Sequence, residues 1–455
     1  MAAAAPAEAP DRHDRVVPSA ALAAALALAG VVATLARPLA PDLPAVPTDL
    51  DAFDPAVLAT VAAYTGPRYL GIAVATLLDV LVPVLLLALP AGRRAVARLS
   101  GSADARGWRR AARGALVAVL AVGLTRLAIL PIAFALGFVQ DGRWGFRTAG
   151  LGTWFADWAL AAGTPVLVAA AAGAVVVTAL HRWPRSWPYR LTVAATVLAA
   201  VLVLLDPLVL QPLRLTTTPL PAGPTRTAVE TVLERAGEGD LEVLVGDASR
   251  RTTRVNAFVT GLGPSRRVVV YDTLLELGPD EVAAVVAHEL AHREHRDIPR
   301  GVLATATGVL PALLVLSRLL AGRRVRGLVD ARGPADPRLV AVVAAVAAVA
   351  TLVGQPVVTW TSRRVEAAAD ARGLELSGAA TPPIATARTF VVRDLADPTP
   401  PTWAVWLRGS HPTADARIRA TVDLATHLGL ELPDLDELRR AEAERRHPAI
   451  PGDAP

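Results

Sequence analysis

The 455-residue chain has no cysteine and no lysine, a single methionine and only 4% aromatic residues. Without cysteine there are no disulfides, thiolate metal sites or cysteine nucleophiles, so any bound metal must rest on His, Asp or Glu. The same absence leaves the redox compartment unreadable. The 46 basic residues are all arginine, against 41 acidic ones, and the formal net charge is only +5. They stand beside apolar runs rather than in a basic domain, which argues against nucleic acid as a partner. Charge is sparse at 19%, whereas 53% of the chain is hydrophobic and mean hydropathy is +0.42. That is too apolar for a soluble enzyme of this length and implies a lipid bilayer.

A bilayer span needs about 20 mostly apolar residues. Seven runs qualify: 19–36, 70–89, 114–139, 158–180, 191–210, 301–320 and 339–358. The third contains Pro131, where a long helix is able to bend. Arg12 and Arg15 precede the first run as in a signal peptide, but the run is long and no small-x-small cleavage site follows, so it reads as an uncleaved anchor. Asp79, Arg126 and Asp206 fall within or near the ends of runs. A lipid-facing charge there costs several kcal/mol, so these residues face a hydrated chamber between helices or pair with one another.

Two polar pieces remain, 211–300 and 359–455. In the first, the pattern predicts a helix over 225–236 and strands near 241–245, 254–259 and 267–271. A further helix starts at Gly278-Pro279-Asp280-Glu281, with proline in its first turn and acids at the positive end of its dipole. It leads into His288-Glu289-Leu290-Ala291-His292, an H-E-x-x-H motif. Two histidines four apart stack on one helix face, close enough for both to reach one Zn²⁺ at about 2.0–2.1 Å, with the glutamate beside a water the metal activates. With eight histidines in the whole chain, chance rarely produces this pattern.

A catalytic zinc takes three protein ligands and keeps a fourth position open. His295 is nearest in sequence, but helix positions i, i+4 and i+7 span about 10.5 Å of axis. That is too far for one ion, and His295 is assigned to the surface. Ser362-Arg363-Arg364-Val365-Glu366-Ala367-Ala368-Ala369-Asp370 reads as a helix with Glu366 and Asp370 on one face. Glu366 would complete a His₂Glu set, and Asp370 would fix the tautomer of a ligand imidazole. His292 lies nine residues before the sixth run and Glu366 eight after the seventh, so a hairpin of two spans returns both to the same membrane face.

Four motifs in this order resemble the integral-membrane zinc metallopeptidases that include the type I CAAX prenyl proteases and the HtpX-like proteases. They are Asn256-Ala257-Phe258 in a strand, His288-Glu-Leu-Ala-His292 with Asp297 five residues on, Ser362-Arg-Arg-Val-Glu366-Ala-Ala-Ala-Asp370, and Ser410-His411-Pro412-Thr413 followed by Arg417-Ile418. The resemblance covers 225–425. It implies that His288, His292 and Glu366 hold one Zn²⁺ per chain, that Glu289 is general base and acid, and that Asp297 and Asp370 support the ligands. It also implies that His411 stabilises the oxyanion and Asn256 holds the substrate backbone, while Arg417 either pairs with a nearby acid or binds substrate.

The expected molecule is mainly α: a polytopic membrane protein with about seven transmembrane helices and a small α+β zincin-like catalytic domain built from two segments. Its divisions are a membrane domain over 1–210, a first catalytic part over 211–300, a transmembrane hairpin over 301–358, a second catalytic part over 359–430, and a polar helix and tail over 431–455 assigned to solubility or docking. The implied activity is zinc-dependent endopeptidase cleavage of membrane-associated or flexible polypeptides, including CAAX-box processing if the prenyl-protease branch applies. A non-catalytic protease-like membrane sensor is the alternative. The Ala, Arg, Val, Leu and Pro bias fits a GC-rich genome, and the expected location is a bacterial cell membrane. Oligomeric state leaves no trace in the sequence.

Sidedness stays open. Arg93, Arg94, Arg98, Arg106, Arg109, Arg110 and Arg113 connect the second and third runs, Arg182, Arg185 and Arg190 the fourth and fifth, and Arg323, Arg324, Arg326, Arg332 and Arg338 the sixth and seventh. Under the positive-inside rule all three connections are cytoplasmic. Seven spans then put the metal outside, whereas the family resemblance favours a cytoplasmic site.

Overall fold

The computed structural model describes residues 41–450 except 42, 102–106, 206–210, 212–214 and 262–265. The first apolar run, 19–36, and Asp206 therefore lie outside the described residues. Helix α1 (Pro55–Ala88) starts at Asp54, whose carboxylate accepts from the Ala56 N–H at 2.8 Å, with Pro55 in the first turn where its missing N–H costs nothing. After α2 (Pro90–Ser100), α3 (Trp108–Ala133) passes into a π-helical stretch, Phe134–Gln140, and ends in Asp141–Arg143. The widened turns follow Pro131, which cannot donate to the preceding turn. Next come α4 (Leu151–Arg182) and α5 (Trp187–Leu205).

The extramembrane part opens with β1 (Thr217–Pro219), α6 (Pro224–Arg235), β2 (Glu242–Gly246), β3 (Ala257–Thr260), β4 (Arg267–Tyr271) and α7 (Pro279–Glu294). The chain returns to the bundle as α8 (Asp297–Ala321), turns through α9 (Arg323–Gly327) and comes back as α10 (Leu339–Ser377). It closes with α11 (Thr381–Val392), α12 (Thr402–Arg408), α13 (Ala414–His427) and α14 (Leu435–Arg445).

Among the described residues, five helices are long and apolar enough to cross a membrane: α1, α3 with its extension, α4, α8 and α10; α5 is a shorter apolar helix. Six of the seven expected runs thus fall on apolar helices. Leu70, Leu167, Val193 and Val353 on these helices are exposed, a poor surface for water and the expected one for lipid. The polarity change at 358/359 does not mark a structural break. Helix α10 runs through it unbroken for 39 residues, because polar residues continue a helix as readily as apolar ones.

The bundle has two distinct ends. At one, Val57, Val61 and Tyr64 of α1 pack with Phe146, Val391, Val392 and Leu395, and Leu50 packs with Ile384, Ile418 and Val422. These contacts join the start of α1 to the extramembrane domain. At the other end, Leu86 and Val96 meet Val117, Val177 and Val340, and Leu180 and Trp187 meet Leu320, Val329 and Leu339.

The sheet has strand order β1-β2-β4-β3, with β2 and β4 parallel and the outer pairs antiparallel. Val268 and Val270 of β4 are fully buried in a core with Val282, Val286 and Leu290 of α7. Asn256 stands immediately before β3 rather than inside a strand reaching back to 254. Side-chain anchors replace the ladder there: Thr273 Oγ1 donates to the Arg254 carbonyl at 2.8 Å, and Asp394 Oδ2 accepts from the Val255 N–H at 3.4 Å.

The polar C-terminal helix is docked, not merely solvated. Glu442 of α14 pairs with Arg388, which is 1% exposed and also donates to the carbonyls of Leu50 and Ala52. Arg445 donates at 2.6 Å to Glu281 Oε1, and the same carboxylate accepts from the Gly278 N–H at 3.0 Å. This fixes the start of α7 through the reach-back arm of a capping box.

Candidate metal centre

Two helices build the centre. On α7, His288 and His292 share one face one turn apart, and their Nε2 atoms lie 3.2 Å from each other. On α10, Glu366 presents Oε2 at 3.3 Å from His288 Nε2 and Oε1 at 3.7 Å from His292 Nε2. A tetrahedral ion with bonds of about 2.0–2.1 Å sets its donor atoms about 3.3 Å apart, so the three side chains already stand along the edges of such a polyhedron. Glu366 Oε2 is buried and meets no well-aligned donor, with only the Nε2 atoms of His288 and His411 near it, at 3.3 and 3.2 Å. A carboxylate oxygen left so is costly unless a cation completes it, and two imidazoles with one carboxylate are a donor set that zinc takes.

Each imidazole is backed by an acid. Asp370 Oδ1 lies 2.9 Å from His288 Nδ1, and Asp297 Oδ2 lies 2.9 Å from His292 Nδ1. Both contacts turn the opposite ring nitrogen toward the cluster. Asp370 is itself held by Arg417, whose Nε donates to Oδ2 at 2.9 Å and whose Nη2 donates to Oδ1. Arg417 thus pairs with an acid, the first of the two readings the sequence left for it, and it also lines the cavity beside the centre. Burial opposes a charge on His292, but the Asp297 and Glu366 carboxylates outweigh it and push its pKa to about 10. His295, expected at the surface, is half-buried at the end of α7 with its Nδ1 enclosed. It is not part of the His288, His292 and Glu366 group.

Glu289 points from α7 toward the sheet edge, where the Val259 N–H donates to its Oε2 at 3.3 Å. Burial raises its carboxyl above the usual carboxylate range, opposed by the neighbouring imidazoles. Strand β3 is the outer strand on this side. Because the Tyr271 N–H bonds to the Asn256 carbonyl at 2.9 Å, antiparallel alternation aims the backbone groups of Ala257 and Val259 away from β4. Ala257, with Asn256 before it, borders a cavity of about 520 Å³ also lined by His288, Glu289, Asp370, His411 and Arg417 among others, and the outward Val259 N–H is the one that Glu289 accepts from. His411 Nε2 lies 3.2 Å from Glu366 Oε2, and its Nδ1 is 2.9 Å from Ser410 Oγ.

Two residues that sequence reasoning missed set this geometry. Gly373 lies where α10 crosses α7, and a Cβ there would stand 3.1 Å from both Cα and N of His288. Arg363, one turn before Glu366, donates to the carbonyls of Val405 at 2.8 Å and Gly409 at 2.7 Å. It thereby ties the segment carrying His411 to the helix carrying Glu366. Neither has a local signal, because each acts on a segment remote in sequence. Farther into the bundle, Asp79 and Arg126 form the ion pair expected of them, and both border a cavity of about 400 Å³.

Residues 220–425 match Peptidase family M48. A stretch of 188 residues is 28% identical to CAAX prenyl protease 1 of Saccharomyces cerevisiae, covering 40% of this chain and 40% of that protein. Another of 194 residues is 27% identical to the uncharacterized metalloprotease YhfN of Bacillus subtilis, covering 41% and 46%. The chain thus matches less than half the length of either relative. Its fold is similar to the crystal structure of S. mikatae Ste24p, with a TM-score of 0.65 at 18% identity, over 91% of this chain and 100% of that one. The likeness in fold extends past the matched segment into the membrane helices.

Proposed function

With the match of residues 220–425 to peptidase family M48 as premise, we propose that this integral membrane protein is a zinc metalloendopeptidase acting on membrane-associated or flexible polypeptides. The observation that carries the reading is the convergence of His288, His292 and Glu366 from two helices on one point beside Glu289 and the outer edge of β3. His288, His292 and Glu366 would hold one Zn²⁺. When bound, the metal supplies Lewis-acid polarisation of a carbonyl and lowers the pKa of water toward about 7.

The chain's own residues do the rest. An extended substrate pairs with the outward-facing backbone of Ala257 and Val259, the Val259 N–H exchanging the Glu289 carboxylate for a substrate carbonyl, which orients the scissile bond by main-chain hydrogen bonds. Asn256, at the mouth of the same edge, holds the substrate backbone. Glu289 takes a proton from the attacking water on its carboxylate and delivers it to the leaving amine. His411 donates a hydrogen bond to the developing oxyanion, and Asp297 and Asp370 keep the imidazoles in the required tautomer. Backbone recognition accommodates any flexible segment. CAAX-box processing, the activity in the name of the yeast relative, is a narrower form of the same reaction. The complete set of site residues leaves nothing in favour of a non-catalytic sensor.

Replacing Glu289 with Gln tests the assignment. The variant is expected to keep one zinc per chain and lose about 10²–10⁴-fold in cleavage of an unfolded protein substrate. Undiminished turnover would remove Glu289 as the base.

A further inference from the structure

The two ends of the helix bundle differ sharply in charge. Arg93, Arg94, Arg98, Arg109 and Arg110 lie between α1 and the body of α3, at the end where Leu86 and Val96 pack against Val117 and Val340. Arg182, Arg185 and Arg190 join α4 to α5, beside Leu180 and Trp187. Arg323, Arg324, Arg326, Arg332 and Arg338 join α8 to α10, beside Leu320 and Leu339. All three connections stand at the bundle end remote from His288 and Glu366. Arg190 lies over the ring of Trp183 at 4.7 Å, an aromatic and basic pairing expected at a membrane interface.

The end that carries the metal centre is different. Its described short connections are 43–54, which holds Asp49, Asp51 and Asp54 and no arginine, and 143–150, which holds Arg143 and Arg147. Arg147 is turned inward, donating to the Phe138 carbonyl at 3.0 Å. Arg293, Arg296, Arg300, Arg363 and Arg364 also stand near span ends on this side, fewer than the arginines of the three remote connections, and Arg293 and Arg363 are taken up by Glu238 and by the Val405 carbonyl. They belong to the segments 211–300 and 359–455, longer than the roughly 60-residue loops in which basic residues set orientation most strongly. The contrast does not depend on how many spans precede α1, because the same helices connect one end to the other.

Basic residues in short connections are retained on the cytoplasmic side. We propose that the metal centre faces the opposite, non-cytoplasmic side of the membrane, so that its substrates are polypeptide segments exposed on that face. The substrate part rests on the peptidase reading, whereas the orientation rests on charge and fold alone. A cytoplasmic centre, which the family resemblance favours, is the contrary outcome.

The cysteine-free chain makes a direct test simple. Thr426→Cys is exposed on α13 of the metal-bearing domain, and Gly327→Cys is exposed in the α8–α10 connection with open space around the added side chain. Each full-length variant, expressed in a bacterium, is treated with a membrane-impermeant maleimide in right-side-out spheroplasts and in inverted vesicles. The expected result is labelling of Thr426→Cys in spheroplasts and of Gly327→Cys only in inverted vesicles. The reverse pattern, or labelling of both variants in both preparations, overturns the orientation. A second measurement guards against a misfolded variant: alkaline phosphatase fused after Pro455 is expected to be active and a green fluorescent protein fusion dark, and the opposite pair overturns it. Labelling needs no turnover, so its failure leaves the peptidase reading standing, and loss of peptidase activity leaves the orientation untouched.

Discussion

At the scale of single residues, the centre depends on charges that stand behind the metal-facing side chains. Asp370 stands between Arg417 and His288, within 2.9 Å of each. Removing its charge frees the His288 ring to turn and leaves the Arg417 guanidinium without its acid. Asp370→Asn is expected to weaken zinc binding by about 10–100-fold, measured by competition with a chelator; unchanged affinity would show that the contact does not orient the ring. Asp394 offers a different reading of charge. Burial pushes its carboxyl up to about 6 from an ordinary value of 3.8, so the fold favours its neutral form. Its stability contribution is full below the unfolded pKa and is lost as pH rises through the folded one. Asp394→Asn is therefore expected to raise the apparent melting temperature in detergent at about pH 8, with the gain shrinking toward pH 4–5. A gain independent of pH would contradict the buried-acid account.

At the scale of elements, the decisive contact is the crossing of α7 and α10. Two histidines four apart on α7 were legible because the helical period forces them onto one face, and the same spacing exposed Glu366 and Asp370 on α10. The approach of the two helices was not legible, since it rests on Gly373 meeting the backbone of His288 at a sequence distance no periodicity reports. Gly373→Val is expected to push the helices apart and abolish stoichiometric zinc binding, while the protein still inserts into membranes. Retained binding, measured by metal analysis of the purified variant, would show that the crossing tolerates a side chain. Strand β1 was also missed. Three residues, Thr217–Pro219, carry too little alternation to announce a strand, and only pairing with β2 defines it. The boundary at 358/359 marks a change of solvent along one helix, since α10 carries residues on both sides of it.

At the scale of the whole molecule, the apolar runs were readable as spans because a bilayer imposes a length on them. The assembly of segments 41–54, α11, α13 and α14 around the start of α1 was not. It depends on tertiary pairs such as Arg388 with Glu442 and with the Leu50 carbonyl, which join residues 54 and 338 positions apart. That assembly fixes one end of the bundle to the metal centre and turns a composition bias into an orientation. The central claim is that side chains from two segments separated by a membrane hairpin converge on one zinc ion. Anomalous diffraction at the zinc edge tests it most directly. The account predicts a single peak per chain within about 2.0–2.2 Å of His288 Nε2, His292 Nε2 and a Glu366 carboxylate oxygen; a peak bound elsewhere, or one that leaves Glu366 out of reach, would contradict it.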